Sequence, residues 1–200
     1  VNKRQEAFTR IFQGNEWQSN ESRSGHGSAY AYTARIREVL PRLLKSFDIK
    51  TLLDAPCGDF NWMRHVNVDS TKYIGCDIVE DIVRNNQTKY PNAEFHCLDL
   101  AEDTLPVADM VFSRDCLQHL PEQDIWKVLR NFKRTKARWL FTSSHSTASQ
   151  EIAVDAGGFG QLNLQLAPFH FPLPIFIMPE EHYVTKAMCL WNMNEIPNND

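Results

Sequence analysis

From Ala29 to Ser46 apolar residues return every third or fourth position, with Tyr32, Ile36, Val39, Leu40, Leu43, Leu44 and Phe47 on one face, and this spacing predicts an amphipathic helix. The period then changes. Thr51 to Asp54 is a short apolar run ending in Pro56-Cys57-Gly58-Asp59, as expected of a buried parallel strand closed by a tight turn, with a helix predicted near Phe60. Tyr73 to Ile78 predicts a second strand, Glu80 to Tyr90 a helix stopped by Pro91, and Ala93 to Leu98 a third strand. Met110 to Ser113 reads as a fourth strand. Glu122 to Arg134 reads as a helix that buries Ile125, Trp126, Val128, Leu129 and Phe132, and Trp139 to Thr142 as a fifth strand. Strands alternating with helices predict an α/β fold, a mostly parallel twisted sheet with helices on both faces.

After Ser143 the alternation stops, and a Ser/Thr/Gly/Pro-rich stretch runs to about Pro179 before a last strand at Lys186 to Met193. It carries Phe159, Leu162, Leu164, Phe169 and Phe171, too apolar to stay solvated, so it is expected to be an ordered insertion lining a site. The expected organisation is one domain: an N-terminal arm or lid (1–28), a ligand-binding core (29–145), a substrate-side insertion (146–180), and a final strand and tail (181–200). The 200-residue length suits this.

Composition narrows the function. A net charge of −4 provides no overall basic field for nucleic acid or anionic lipid, and no apolar run is long enough to span a bilayer. Five scattered cysteines, Cys57, Cys76, Cys97, Cys116 and Cys189, form no CxxC pair and are expected to be reduced thiols, which places the chain in a reducing, cytoplasmic setting. The chain opens Val1-Asn2-Lys3 without Met, as a piece of a longer multidomain protein would.

In open parallel sheets ligands bind beyond the carboxyl ends of the strands, and here acids stand at those ends: Asp54, Asp77, Asp99 and Asp115. Asp77 follows Asp54 by 23 residues, near the offset of about 20 at which an acid after the second strand accepts hydrogen bonds from the ribose of an adenosine. The first turn has only Gly58, too few glycines to cradle a pyrophosphate, so an adenosine ligand without phosphates fits better.

These segments resemble class I S-adenosylmethionine-dependent methyltransferases. Leu53-Asp54-Ala55-Pro56-Cys57-Gly58-Asp59 is similar to motif I of that family, Ile74 to Ile78 to the ribose-binding strand, His96 to Leu100 to the adenine-binding segment, and Asp109 to Leu120 to motif IV. The resemblance implies a Rossmann-like methyltransferase fold, S-adenosyl-L-methionine as cofactor and S-adenosyl-L-homocysteine as product. It places Asp54 and Gly58 near the methionine portion, Asp77 on the ribose, Ile78 against the adenine and Asp99 on its amino group. Pro56, Cys57, Leu100, Ser113 and Arg114 are further expected cofactor contacts. Pro56 and Phe60 stand where the family usually has glycines. Upstream, Trp17 and the Ser22-to-Ser28 stretch with Gly25 are expected to fold over the ligand, with Arg23 meeting its carboxylate.

Transfer to a hydroxyl benefits from a base, and Asp115, His119 and His145 follow the fourth and fifth strands as candidates. The same three are also candidate ligands for a divalent metal, but no dense ligand motif is present and no metal is assigned. The insertion mixes aromatic faces with Asp155, Asn163 and His170, a surface suited to a sugar, so the expected partner is a glycan or another small hydroxylated acceptor. Lys127, Arg130, Lys133, Arg134, Lys136 and Arg138 keep RNA methylation as an alternative, and a non-catalytic cofactor-binding or structural module is the reading from another class.

Overall fold

The computed structural model describes residues 2–68 and 70–199; Val1, Asp69 and Asp200, which include both ends of the expected domain, lie outside the described residues. Seven strands form one sheet in the order β3-β2-β1-β4-β5-β7-β6. In chain order they are β1 (Thr51–Asp54), β2 (Lys72–Asp77), β3 (Glu94–Cys97), β4 (Met110–Ser113), β5 (Trp139–His145), β6 (Phe176–Pro179) and β7 (Lys186–Asn192). The first five are parallel, and β7 runs antiparallel to both β5 and β6. Four α-helices accompany them: α1 (Lys3–Gly14), α2 (Ala34–Ser46), α3 (Glu80–Lys89) and α4 (Glu122–Arg134).

Because side chains alternate across a strand, each strand feeds two cores. Leu53, Ile74, Val111, Leu140, Cys189 and Trp191 face α4 and the insertion. Their neighbours Leu52, Tyr73, Met110, Phe112, Phe141 and Leu190 face α2, α3 and the segment around Trp62 and Met63. Both faces are therefore covered, which is why the parallel strands read as nearly continuous apolar runs.

The structure departs from the sequence reading in four places. Among the described residues no α-helix lies between β1 and β2: Gly58 and Phe60 both take left-handed φ (55° and 57°), breaking any helical start, and a 3-10 turn, Met63–His65, forms instead. The first core helix is preceded by two 3-10 turns, His26–Ser28 and Ala31–Thr33, so α2 starts at Ala34. The N-terminal arm contains α1, capped by Asn2, whose side chain accepts the Gln5 N–H, and closed by Asn15 in left-handed φ. The insertion ends in β6, a short strand at the sheet edge. Among the described residues, no helix is long and apolar enough to cross a membrane.

Candidate active site

The strand order reverses between β1 and β4, and a crevice opens there beyond the strand ends. Its walls come from the turn after β1, the ends of β2 to β4, the arm and α1.

Asp54 ends β1, buried, and accepts the Tyr73 hydroxyl at 2.6 Å. Burial pushes its carboxyl up to about 8; the Tyr73 hydrogen bond opposes this and the Asp77 charge adds to it. Asp77 ends β2 and holds the β1 turn, one oxygen accepting the Gly58 N–H at 3.0 Å and the other the Val79 N–H at 3.0 Å. Burial raises it to about 6 against these backbone bonds. Among the described residues neither carboxyl forms an ion pair with a side chain, although the Arg114 charge acts on Asp54, so the crevice presents two acids to a ligand bearing hydroxyls and positive charge. Pro56, Cys57, Gly58, Ile78 and Leu100 complete this wall with Val79 and Ile82. The residues present thus fit an adenosine joined to a cationic amino-acid tail.

The arm crosses the turn directly. Asp59 accepts the Ser22 hydroxyl at 2.9 Å and the Arg23 N–H at 2.8 Å, and its own N–H donates to Ser24 Oγ at 3.0 Å. This sets Arg23 and Trp17 on the crevice wall. Gly25, at φ 92°, sits behind Trp17 rather than on the wall. Ser113 is also off the wall, fully buried, its carbonyl accepting Thr142 Oγ1 at 2.7 Å.

Asp99 lines the crevice with its carboxylate already engaged. Arg4 donates to it from Nη2 at 2.8 Å, Asn2 donates as well, and the Ala101 N–H bonds its other oxygen at 2.9 Å. Arg4 also reaches Asp124 at 2.8 Å.

On the opposite side four charges are packed together. Arg114 holds Glu180 through two bonds, at 2.7 and 3.0 Å, and donates to the Gly27 carbonyl at 2.9 Å. Lys186 bonds both oxygens of Asp115, at 2.8 and 2.9 Å, and Glu180 at 2.8 Å. Gln118 donates to Asp115 at 2.8 Å. Burial alone would raise the Asp115 carboxyl, but Arg114 and Lys186 outweigh it and hold it well below the usual carboxylate range. A carboxylate so committed is a poor proton acceptor, which corrects its expected role as a base.

His119 lies on the wall between the rings of Trp17 (5.4 Å) and Phe159 (5.8 Å), with Nδ1 2.6 Å from the Gly158 carbonyl oxygen. Burial lowers its pKa, and the Gly158 carbonyl only partly offsets that. His145 is instead buried at the end of β5 off the crevice wall, 3.4 Å from the Leu162 carbonyl, because β5 continues three residues past its expected end. The three expected acceptor contacts also lie off the wall. Asp155 is exposed at a turn closed by the Gly158 N–H; the Asn163 side chain staples the insertion to Thr147 and Gln165; His170 is exposed in left-handed φ. Asp115, His119 and His145 do not gather as a metal site: among the described residues no group of three or more His, Cys, Asp or Glu side chains has metal-ligating geometry.

Sequence reasoning missed Arg4, Phe8 and Phe12 on the crevice wall, although their four-residue spacing marks one helix face. It also missed Glu180 and Lys186, for which the one available signal was a lysine opening an otherwise apolar strand.

Residues 52–137 match a family model described as a methyltransferase domain. No curated protein matches the chain. Among solved structures, 1,6-didemethyltoxoflavin-N1-methyltransferase from Burkholderia thailandensis, solved with S-adenosylhomocysteine, is similar at a TM-score of 0.63 and 14% identity, covering 98% of this chain and 87% of that one. Magnesium protoporphyrin IX methyltransferase from Synechocystis, with the same product bound, gives 0.62 at 14% identity over 94% and 98%. The N-methyltransferase NodS from Bradyrhizobium japonicum gives 0.56 at 12% identity over 70% and 74%. At such identities these structures share the fold. The family match covers the core that carries the crevice, with Asp54 and Asp77 at its strand ends, so this part of the chain is similar to a methyltransferase domain.

Proposed function

We propose that the protein methylates a hydroxyl group of a small acceptor and that His119 is the base. The observation that carries this is the state of the His119 ring. A carbonyl oxygen only accepts, so Nδ1, at 2.6 Å from Gly158 O, carries the hydrogen and Nε2 keeps its lone pair. The lowered pKa keeps the ring neutral near pH 7. S-adenosylmethionine, when bound, supplies an electrophilic methyl group. This chain's residues would do the rest: Asp77 and Asp54 would receive the ribose and the cationic tail, Arg23 its carboxylate, and His119 Nε2 would take the acceptor's hydroxyl proton while the methyl passes from sulfur to that oxygen and S-adenosylhomocysteine leaves.

Trp17 and Phe159, flanking His119, offer flat apolar faces of the kind a sugar or an aromatic ring stacks on. A sugar hydroxyl remains the acceptor class proposed first, now resting on these rings and not on Asp155, Asn163 or His170. RNA is disfavoured because four of the six basic residues near α4 are engaged: Lys127 pairs with Glu102 at 2.7 Å, Lys133 bonds the Ile196 carbonyl, Arg134 donates to Asn131 at 2.9 Å, and Arg138 sits over Trp139.

The test is methyl transfer from labelled S-adenosylmethionine to a panel of sugars, phenols, amines and RNA. Turnover on a hydroxylated compound that is lost in His119→Gln supports the reading, whereas turnover confined to amines or RNA, or unaffected by that substitution, refutes it.

A further inference from the structure

The chemistry at the strand ends leaves α1 unexplained. This helix makes no part of the sheet, yet Arg4, Phe8 and Phe12 lie one turn apart on one face, and all three line the crevice. The two phenyl rings line the same space as Gly58, Asp77 and Ile78. The N-terminal turn is tied down by Arg4 to Asp99 and Asp124 and by Asn2 to Asp99. Along its length Gln5 donates to the Ile78 carbonyl at 3.3 Å and Gln13 to Asp81 at 3.2 Å. Its apolar anchorage is limited: Ile11, its one buried residue among those described, packs on Gly157, where a Cβ would collide with it, and Phe8, partly buried, packs on the core.

We infer that α1 is the lid of the cofactor site, with Phe8 and Phe12 as cofactor-contact residues and Arg4 as the positioning residue that latches the helix shut. Three observations converge. Phe8 and Phe12 add aromatic faces to a crevice that also carries Ile78, Val79, Ile82 and Leu100 beside the Asp77 and Asp99 carboxylates, which suits a nucleoside base, whose faces are apolar and edges polar. Both Asp99 oxygens are filled by Arg4, Asn2 and the Ala101 N–H, so an adenine amino group reaching that carboxylate must share it with the latch. A helix held mainly by polar contacts and one buried side chain opens at lower free energy than the sheet beneath it. The cofactor enters when α1 lifts, and the helix settles back onto it. Closure also bears on Gly157, whose N–H bonds the His119 carbonyl at 2.9 Å, so lid and base share one loop.

The inference rests on the cofactor assignment and is independent of the acceptor. Hydrogen exchange of α1 amides in the full chain, with and without S-adenosylhomocysteine, tests it together with calorimetric affinities of Phe12→Ala, Arg4→Ala and Arg4→Lys. The expected result is that the ligand slows α1 exchange more than exchange in β1 or β4. Phe12→Ala should weaken binding about tenfold, and Arg4→Ala should speed α1 exchange in the free protein and ligand release, with Arg4→Lys partly restoring both. Unaltered α1 exchange on binding, or wild-type affinity in Phe12→Ala, overturns the lid while leaving the cofactor in place. A wild-type chain that does not bind S-adenosylhomocysteine overturns both.

Discussion

The His119 Nδ1 atom lies 2.6 Å from the carbonyl oxygen of Gly158, and this contact joins the 3-10 turn after β4 to the insertion, at the residue we propose as the base. The bond favours the tautomer with hydrogen on Nδ1, and burial lowers the pKa of the ring. Replacing His119 by Gln is expected to lower kcat by roughly 10²–10⁴, the usual worth of a positioned base, while affinity for S-adenosylhomocysteine changes little. Because the base acts neutral and its pKa is lowered, wild-type kcat/KM should stay flat at neutral pH and fall only on the acid side of the ordinary histidine value. A rate profile whose acid limb persists in His119→Gln would assign that limb to another group.

Asp54 makes the stability of the free protein depend on pH in an unusual direction. Its carboxyl is raised by burial to about 8, against roughly 3.9 in an unfolded chain, so the stability it contributes is full below about 3.9 and is lost as pH rises through 8. Between pH 7 and 8 the lowered histidines are largely neutral in both states, Asp77 is largely ionised at its value of about 6, and unfolded thiols have barely begun to ionise. In that window the wild type should lose about 1 kcal/mol, seen as a fall of a few degrees in Tm. Asp54→Asn should flatten the dependence and also weaken cofactor binding. A Tm that rises over the same interval in the wild type would contradict the assignment.

The parallel sheet was legible because its strands are buried on both faces and so read as apolar runs, Leu52-Leu53 and Met110-Val111-Phe112 among them, separated by helical periodicity. Asp54 and Asp77 were legible for a local reason, since each ends its strand. The elements that escaped are those whose pattern is short or interrupted. In α1 only Ala7, Phe8, Ile11 and Phe12 are apolar, and in the stretch before β6 Pro172 and Pro174 interrupt the alternation. Glu180 and Lys186 escaped because their meaning is tertiary: only when β7 pairs with β5 does Lys186 arrive beside Asp115, 71 residues earlier.

That arrival creates a buried network of two cations and two anions, Arg114 and Lys186 with Asp115 and Glu180, whose charges cancel. Lys186→Met leaves an excess buried negative charge and should destabilise the protein by about 3–5 kcal/mol. Lys186→Met with Glu180→Gln restores neutrality, keeping the Arg114–Asp115 pair, and should recover a measurable part of the loss. Urea unfolding of the single and double variants checks this. Equal stability of the two would mean that packing of the Lys186 stem, not charge balance, is what matters.

Gly58 combines two constraints that separate experimentally. Its φ of 55° is strained for any residue with a Cβ, and that Cβ would fall on Ser24 Oγ, which the Asp59 N–H holds at 3.0 Å. Gly58→Ala therefore pays conformational strain of roughly 1–2 kcal/mol and pushes the arm off the turn. Because Asp77 bonds the Gly58 N–H, the shift reaches the carboxylate proposed to receive the ribose, and S-adenosylhomocysteine affinity should fall at least about tenfold alongside a loss of several degrees in Tm. Adding Ser24→Gly removes the collision but not the backbone strain. The double variant should regain affinity, as the arm returns over the crevice, while its Tm stays low. If affinity is not regained, the collision with Ser24 is not what displaces the arm, and the loss belongs to the turn itself.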